Sequence, residues 1–329
     1  MKWMIAGLGS IGRRHLRNLL DLGEDEILLF RTHHSTLPDD ELTGLPVETD
    51  LQKALATHPD VVVISNPTSA HLDIAIPAAQ TGCHLLLEKP ISHSLARIDE
   101  LRQAVDQGGG STLVGFHYRF HPGLQQLARW LIEEKVGRPL SVRVQWGEYL
   151  PNWHPWEDYR ASYSARSDLG GGVVLTLCHP LDYLRWLLGD VDALWAFTGR
   201  VSDLEINVED VAEIGLRFRR NVVGSVHLDY YRRPGTHQLE ITCTGGSLSW
   251  DNTDGAARAL DAASGEWEII LPPQGFVRND LFLAEMRHMR MVARGEDSPL
   301  CTLEDGVIAL QLALAVHQSS AEQRMVTPY

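Results

Sequence analysis

The chain has 329 residues, with 29 basic and 43 acidic side chains and a formal net charge of −14. This excess of acid argues against nucleic acid or an anionic membrane surface as the main partner. No apolar run is long enough to span a bilayer, and the first residues lack the pattern of a secretory signal. The four cysteines form no Cys-x-x-Cys pair and no metal-ligand cluster is visible, so free thiols, no metal and a cytoplasmic location are expected. The length favours two domains.

A glycine-spaced turn dominates the first twenty residues. An apolar run ends at Ala6, Gly-Leu-Gly-Ser-Ile-Gly fills positions 7–12, and a helix-forming stretch follows. In such a turn the first glycine permits the bend, the second leaves room for a pyrophosphate, and the third allows close helix–strand packing. The helix start also offers unpaired N–H groups to phosphate. The turn predicts a dinucleotide site, unless it is an ordinary strand–helix turn; its residues are Gly7, Gly9, Ser10, Ile11 and Gly12.

The end of the second predicted strand bears on the choice of cofactor. Residues 26–30 form this strand, and Arg31 and Thr32 follow it without an acid. A carboxylate here binds the ribose of NAD, whereas an arginine accommodates the extra phosphate of NADP. Arg13, in the first helix, is within reach of the same phosphate. We therefore predict NADP in preference to NAD, with a solvated Arg31 as the alternative; His33-His34 is expected in a solvated loop.

Strands and helices alternate up to about residue 118, which predicts a doubly wound parallel sheet and a nucleotide-binding domain over residues 1–120. The expected helices cover residues 51–57, 69–81 and 94–107. Ligands bind at the carboxyl ends of strands in such sheets. Ser65, Asn66 and Pro67 follow a buried strand and are expected along the cofactor, and His71 begins the next helix as either a structural or a cofactor-binding residue.

Glu88-Lys89-Pro90 follows the next strand of this sheet. A lysine at the ligand-binding edge is partly desolvated, which lowers its pKa from about 10 toward the 7–8 useful for proton transfer. This position makes Glu88 and Lys89 candidate cofactor contacts and Lys89 a candidate catalytic residue. A surface ion pair between Lys89 and Glu88, or another acid, is the alternative.

Residues 149–166 concentrate aromatic and charged side chains. Aromatic faces and forked arginine donors suit a ligand with sugar C–H faces, hydroxyls and phosphate. Arg160 and Arg166 favour a phosphorylated or nucleotide-linked sugar over a neutral one. The alternative is a long loop packed on its own rings or a subunit contact. The residues are Tyr149, Trp153, His154, Trp156, Asp158, Tyr159, Arg160, Tyr163 and Arg166.

The rest of the chain predicts an α+β domain over residues 121–329. Helices are expected at 123–135, 173–188, 279–294 and 303–319. Between residues 191 and 250 apolar and polar side chains alternate, as in a mostly antiparallel sheet with one buried face. The other face of such an open sheet needs cover, so we expect a homodimer or homotetramer formed through it.

Taken together, these motifs resemble the Gfo/Idh/MocA family, named after glucose–fructose oxidoreductase, inositol dehydrogenase and rhizopine catabolism. The resemblance covers essentially the whole chain. It rests on the fingerprint with Pro67 and His71, on Glu88-Lys89-Pro90, on Gly-Phe-His-Tyr-Arg-Phe-His-Pro at 115–122, and on three glycines at 170–172 before a helix with His179 and Asp182. It implies an N-terminal Rossmann domain, a C-terminal domain with a large open sheet, and NAD(P)-dependent oxidoreductase activity.

The resemblance also implies roles for particular residues. In the family the Glu-Lys-Pro lysine contacts the nicotinamide end and the reacting hydroxyl, and the helix histidine faces the same substrate, so Lys89 and His179 become the catalytic pair. Many members carry an aspartate three or four residues before this histidine, where this chain has Thr176 and Leu175. His179 is then better suited to hydrogen-bond the substrate than to act as a strong base. The candidate substrate-binding residues are Arg119, Trp153, His154, Tyr163, Arg166, Thr176 and His179.

These observations favour hydride transfer between nicotinamide and a hydroxyl or keto carbon of a sugar, cyclitol or sugar-nucleotide-like substrate. A reductase of a non-sugar carbonyl or imine is the alternative within enzymes. A regulator that binds a dinucleotide without turnover is the alternative of another class. The missing aspartate favours the regulator, whereas the presence of Lys89 and His179 opposes it.

Overall fold

The computed structural model describes residues 1–32 and 37–329, and the predicted loop at His33-His34 lies outside them. The chain forms two compact units. The first comprises Met1–His117, Asp168–Gly170 and Arg278–Leu310, and the second comprises Tyr118–Ser167, Gly171–Val277 and Gln311–Tyr329. The sequence divides the chain once, near residue 120. In the structure later segments return to the first unit, and no local sequence signal marks such a return.

The helices and strands of the described residues follow one another in a fixed order along the chain. They are β1 (Trp3–Ala6), α1 (Ser10–Asp21), β2 (Ile27–Phe30), β3 (Val47–Glu48), α2 (Leu51–Leu55), β4 (Val61–Ile64), α3 (His71–Gln80), β5 (His84–Leu87), α4 (Ile98–Gly108), β6 (Thr112–Val114), α5 (Pro122–Ile132), β7 (Pro139–Gly147), α6 (Val173–Thr176), α7 (His179–Leu188), β8 (Val191–Gly199), β9 (Val211–Phe218), β10 (Val223–Asp229), β11 (Thr236–Cys243), β12 (Gly246–Asp251), β13 (Ala257–Asp261), β14 (Trp267–Ile270), α8 (Asn279–Ala293) and α9 (Leu303–Glu322).

The first unit is built on a six-stranded sheet in the order β3-β2-β1-β4-β5-β6. Every neighbouring pair is parallel. All four residues of β1 and of β4 are fully buried, because helices cover both faces of a parallel sheet. The predicted doubly wound parallel sheet is confirmed, and its central strands bring the glycine turn and the Ser65–Pro67 loop to the same edge.

Helix α8 belongs to the first unit although it is distant in sequence. It packs along α1, where the Nδ2 of Asn279 donates to the Oδ1 of Asn18 at 2.8 Å. Near the other end of α8, the Nε of Arg290 lies 2.9 Å from a carboxylate oxygen of Glu24. These contacts align α8 with the helix that follows the glycine turn.

The second unit contains an eight-stranded sheet in the order β14-β13-β12-β11-β7-β10-β9-β8. Only β7 and β10 pair in parallel, and the other neighbours are antiparallel. Alternate residues of β9, from Ala212 to Phe218, are buried, as the alternating pattern predicts. The predicted open, mostly antiparallel sheet is confirmed, and β13 and β14 extend it beyond the strands expected from the sequence.

The helix expected over residues 173–188 is interrupted, which corrects that prediction. Helix α6 ends at Thr176 and α7 begins at His179. Pro180 lies in the first turn of α7, where its missing N–H is harmless, whereas inside a continuous helix it would remove a hydrogen bond. The break places His179 at the start of a helix.

Within residues 1–32 and 37–329, no helix is both long and apolar enough to cross a membrane.

Candidate active site

The glycine turn in the first unit has the backbone geometry that a dinucleotide requires. Gly7 has a φ of +91°, and a Cβ there would lie 2.4 Å from the backbone nitrogen of Asn66. A Cβ on Gly12 would lie 1.9 Å from the carbonyl oxygen of Gly7, so the third glycine allows the close helix–strand contact. A Cβ on Gly9 would meet nothing described within 4 Å. Gly9 therefore borders open space in front of Ser10 and Ile11, at the N-terminus of α1, and the turn fits a pyrophosphate.

The loop after β4 closes one side of this turn. The hydroxyl of Ser65 donates to the carbonyl oxygens of Ala6 and Gly7 at 3.0 and 2.9 Å. His71 is buried, and its Nε2 lies 2.9 Å from the carbonyl oxygen of Asn66. Burial lowers the pKa of His71, which keeps it neutral. Among the described residues, the buried Oδ1 of Asn66 has no hydrogen-bond partner, so this oxygen fits a donor group of the cofactor.

Arg13 and Arg31 lie on either side of one carboxylate. A guanidinium nitrogen of Arg31 lies 2.9 Å from Asp39, and one of Arg13 lies 3.6 Å from the same oxygen. Arg13 also holds Glu41 at 3.0 Å. Both arginines are buried, whereas 58% of the Asp39 side chain is exposed. Two guanidinium groups thus meet an anion at the edge of the nucleotide domain, near Thr32.

The Glu88-Lys89-Pro90 segment follows β5, and Glu88 is buried. One carboxylate oxygen of Glu88 lies 2.8 Å from the Nε2 of His15 in α1, and the other accepts from the backbone N–H of Lys89 at 3.2 Å. Burial alone would raise the pKa of Glu88, but the hydrogen bond and charge of His15 and the charge of Lys89 lower it. Glu88 is therefore a buried carboxylate that fixes the main chain at Lys89.

A second buried acid lies beside this pair. Glu285 in α8 has no exposed surface, and its carboxylate, that of Glu88 and the ring of His15 offer ligand atoms within 4.8 Å of one another. Burial and the charge of Glu88 raise the pKa of Glu285 well above its usual range. Three titratable groups from α1, β5 and α8 thus meet next to Lys89.

In the second unit, His179 is buried at the start of α7. Its ring lies edge-to-face with that of Tyr118, with ring centres 4.9 Å apart, and is tilted against that of Trp146, with centres 5.7 Å apart. His237 stacks on Trp146 at 4.2 Å and approaches the hydroxyl of Tyr118 with its Nδ1 at 3.3 Å. His179 is therefore fixed by rings. Thr176 ends α6 and is also buried.

Arg119 is engaged within the second unit. Its guanidinium holds both carboxylate oxygens of Asp182 in α7, at 3.0 and 2.6 Å, and both side chains are buried. A buried, bidentate pair of this kind fixes the segment at Arg119 against α7. Its predicted contact with substrate stays a prediction.

Residues 149–166 form short helical turns with a mixture of buried and exposed side chains. Trp153 meets the edge of Tyr230 at 5.4 Å, and His154 tilts on Trp156 at 5.0 Å. Arg160 contacts Asp158 at 2.8 Å and Glu205 at 2.5 Å at the surface. Tyr163 is half-buried and Arg166 is exposed. The segment thus combines rings packed on the unit with charges that pair among themselves.

The glycine turn and the sheet that carries it place the chain among α/β proteins that bind a dinucleotide. The chain belongs to the Gfo/Idh/MocA family of oxidoreductases. A family model described as an oxidoreductase family with an NAD-binding Rossmann fold matches residues 1–116, and one for the GFO/IDH/MocA C-terminal domain matches residues 124–249.

Individual relatives agree with this assignment. The myo-inositol 2-dehydrogenase of Thermotoga maritima is 26% identical, covering 99% of this chain and 98% of its own. The 1,5-anhydro-D-fructose reductase of Ensifer adhaerens is 27% identical, covering 80% of this chain and 78% of its own. A levoglucosan dehydrogenase in complex with NADH and levoglucosan has the same fold, with a TM-score of 0.87, 19% identity and 99% of each chain covered.

Sequence reasoning missed several residues of these clusters. His15 lies three positions after Gly12, and no local pattern links it to Glu88 across 73 residues. Glu285 reads as an ordinary helix residue, although an acid between apolar neighbours at Ala284 and Met286 was a possible signal. Asp39 lies beyond the strand end where an acid is usually sought.

Proposed function

We propose that this protein is an NAD(P)-dependent oxidoreductase that transfers a hydride between nicotinamide and a hydroxyl or keto carbon of a sugar-like substrate. The observation that carries the proposal is the placement of Lys89. It follows a strand of the nucleotide-binding sheet, at the edge where ligands bind, and its main chain is fixed by a buried carboxylate. A lysine amine carried by this fixed main chain, at this edge of the sheet, suits proton exchange with a reacting hydroxyl.

The roles of the protein groups follow from this chemistry. Bound nicotinamide accepts or supplies the hydride. In the oxidative direction the neutral amine of Lys89 takes the hydroxyl proton and becomes an ammonium group, and in the reductive direction the ammonium group returns that proton to the carbonyl oxygen. His179, held by the rings of Tyr118 and Trp146, hydrogen-bonds the same oxygen and orients it.

The substrate class is inferred from relatives and from the second unit. The named relatives act on an inositol, an anhydrofructose and levoglucosan, which all present ring or chain hydroxyl groups. Trp153 and Tyr163 offer aromatic faces of the kind that pack on sugar C–H groups. Arg166 adds an exposed cation for a substrate that carries phosphate or a nucleotide.

For the cofactor, we propose NADP in preference to NAD. Arg13 and Arg31 converge on the exposed carboxylate of Asp39, and the 2′-phosphate is an anion that suits the same pair of guanidinium groups. Arg31→Asp should therefore weaken NADPH binding at least tenfold relative to NADH. The control is Arg17→Asp, whose side chain is 57% exposed and pairs with Glu41 instead. An unchanged ratio of the two affinities in Arg31→Asp would refute the preference.

The test of the reaction is the absorbance of reduced nicotinamide, measured with NADP and NAD in turn against free, phosphorylated and nucleotide-linked sugars and cyclitols. A substrate-dependent change that disappears in Lys89→Ala is the expected result. No change with any of these substrates, in protein that still binds dinucleotide, would favour a reductase of a non-sugar carbonyl or imine or a regulator without turnover. Keto and imine substrates with NADPH then separate these two.

We also propose a cytoplasmic location and a homodimer or homotetramer formed through the open sheet. Trp195 and Phe197 lie on β8 with ring centres 4.3 Å apart, and they are 39% and 60% exposed. Paired exposed rings on a sheet suit burial against a second copy. Phe197→Glu should reduce the mass measured by light scattering, whereas Val47→Glu, at an exposed position of the nucleotide domain, should not.

A further inference from the structure

Glu285 has no evident structural purpose where it lies. Its side chain is 0% exposed, and within the described residues neither carboxylate oxygen has a hydrogen-bond partner. Its neighbours along α8, Met286 and Met289, are buried in the same core and are also 0% exposed. A buried polar group without a partner destabilises a protein by roughly 1–3 kcal/mol, and an isolated charge by more. A purely structural position would favour an apolar residue.

The groups near Glu285 define what it can do. The carboxylate of Glu88 and the ring of His15 lie within 4.8 Å of it. Lys89 adjoins Glu88 in sequence, and Arg14, Arg278 and His117 contribute further titratable or charged groups to this region. Because Glu88 is already a carboxylate bonded to His15, a second bare carboxylate beside it would be repelled in a medium from which water is excluded.

A proton on Glu285 resolves this conflict. A neutral carboxylic acid carries one O–H donor, and the carboxylate of Glu88 is a charged acceptor within 4.8 Å of it. Burial and the neighbouring Glu88 both raise the pKa of Glu285 well above its usual range, which favours the neutral form. A resident cation is the other way to satisfy two acids and an imidazole. It is disfavoured because His15 and Glu88 already contact each other at 2.8 Å and the positive charges of Lys89 and Arg14 interact with Glu88.

We propose that Glu285 is a positioning residue for Lys89: as a neutral carboxylic acid it donates a hydrogen bond to Glu88 and so fixes the carboxylate that holds the Lys89 main chain. This role rests on the proposed function of Lys89. Glu285 would thus act on Lys89 through Glu88, whose carboxylate accepts a hydrogen bond from the backbone N–H of Lys89 at 3.2 Å. His15 of α1 contacts the opposite oxygen of Glu88, and the proposed hydrogen bond from Glu285 adds a second contact from α8.

The first experiment tests the neutral acid and needs no substrate. Infrared difference spectra of wild type minus Glu285→Gln, taken near neutral pH, should show the C=O stretch of one protonated carboxylic acid. The matched control is Glu304→Gln, an acid in α9 that is 57% exposed and pairs with Arg102, and its difference spectrum should show carboxylate bands only. Carboxylate bands alone for Glu285, or a metal ion bound stoichiometrically to the purified protein, would overturn the proposal.

The second experiment tests the positioning role. Glu285→Leu removes the donor, and kcat should fall at least tenfold while the Kd of the dinucleotide changes less than threefold. Glu285→Gln keeps a neutral donor of the same shape and should recover most of the lost kcat. Met289→Ala, one turn further along α8, tests the effect of lost packing alone and should lower Tm without this fall in kcat.

The two experiments separate the inference from the proposed function. Equal kcat in wild type and Glu285→Leu, or no recovery with Glu285→Gln in folded protein, would overturn the positioning role even if the infrared band is present. Wild-type protein that turns over none of the sugars, carbonyls or imines would instead overturn the proposed function together with the positioning role, and the infrared result would still decide whether Glu285 is a neutral acid.

Discussion

Charged side chains are used in opposite ways in two regions of this molecule. Glu88, next to Lys89 after β5, is buried within 4.8 Å of the buried Glu285 of α8 and of His15 of α1. In residues 149–166, Arg160 lies at the surface and pairs with Asp158, two positions away, and with Glu205. Buried charges lose their hydration, so each contact matters, whereas water screens exposed pairs. The abundance of charge in a segment is therefore a poorer guide to function than its burial.

The largest effect should follow from removing the buried region's lysine. Lys89→Ala should lower kcat by about 10²–10⁴, the usual contribution of a general acid or base, and should change dinucleotide affinity less than threefold. Steady-state rates and a fluorescence titration of the cofactor measure the two quantities. The control is Lys135→Ala, because Lys135 is a half-exposed lysine paired with Glu268. Turnover equal to that of the control would remove Lys89 from the mechanism.

The next effect is on stability and concerns the buried ion pair of the second unit. Arg119→Ala leaves Asp182 charged and buried, and should lower the free energy of unfolding by about 3–5 kcal/mol. Chemical denaturation measures this change. A loss of unfolding free energy below about 1 kcal/mol would show that water replaces the guanidinium. It would contradict the expectation that a buried ion pair of the second unit matters more than an exposed one.

A smaller effect should come from a buried imidazole. Burial lowers the pKa of His121 to about 4, whereas an unfolded histidine titrates near 6.5. A group whose pKa is lower in the folded state stabilises the fold above the unfolded pKa, and that stabilisation is lost as the pH falls through the folded one. Wild type should therefore lose roughly 2 kcal/mol through His121 between about pH 7 and about pH 5.

The variant for this test is His121→Asn, because asparagine can replace the ring nitrogen that caps α5 by accepting from the N–H of Gly123. The free energy of unfolding of wild type and variant is compared at both pH values. Between about pH 7 and about pH 5, the free energy of unfolding of the variant should rise by roughly 2 kcal/mol relative to that of wild type. A constant difference would mean that His121 does not resist protonation.

The smallest effect is expected in the exposed region. Arg160→Ala should leave the denaturation midpoint unchanged within error, because its partners are solvated. It should also leave KM unchanged for a neutral sugar. A large rise in KM confined to phosphorylated or nucleotide-linked substrates would show that Arg160 leaves its acidic partners to bind phosphate, and would reverse the contrast between the two regions.

The sequence predicted the features that depend on local pattern. The β-branched run at Val61–Ile64 and the glycines at 7–12 identify a parallel sheet and its nucleotide turn, because each constraint involves neighbouring residues. The alternating strands of the second unit were predicted in the same way, from the pattern of apolar and polar residues. The break between α6 and α7 was not, although Pro180 was a local sign of it.

What escaped sequence reasoning depends on contacts between distant segments. His15 and Glu285 are ordinary helix residues until the fold brings them to Glu88. The same holds for Asp39, which meets Arg31 only because the chain turns back. Likewise, no residue close to Arg119 in sequence predicts that its guanidinium pairs with Asp182. Periodicity reports which face of an element is buried, and it carries no information about which segment covers that face.

The return of Arg278–Leu310 to the first unit has a consequence for synthesis. Asn18 of α1 precedes its partner Asn279 of α8 by 261 residues, so during synthesis the emerging nucleotide domain must wait for all of that intervening chain before α1 acquires its neighbour. Until then Asn18 of α1 and the acid at Glu88 lack the neighbouring groups that α8 supplies. Nascent chains stalled before residue 278 should accordingly be cut readily by proteases within the nucleotide domain, whereas chains released after residue 310 should resist cleavage there.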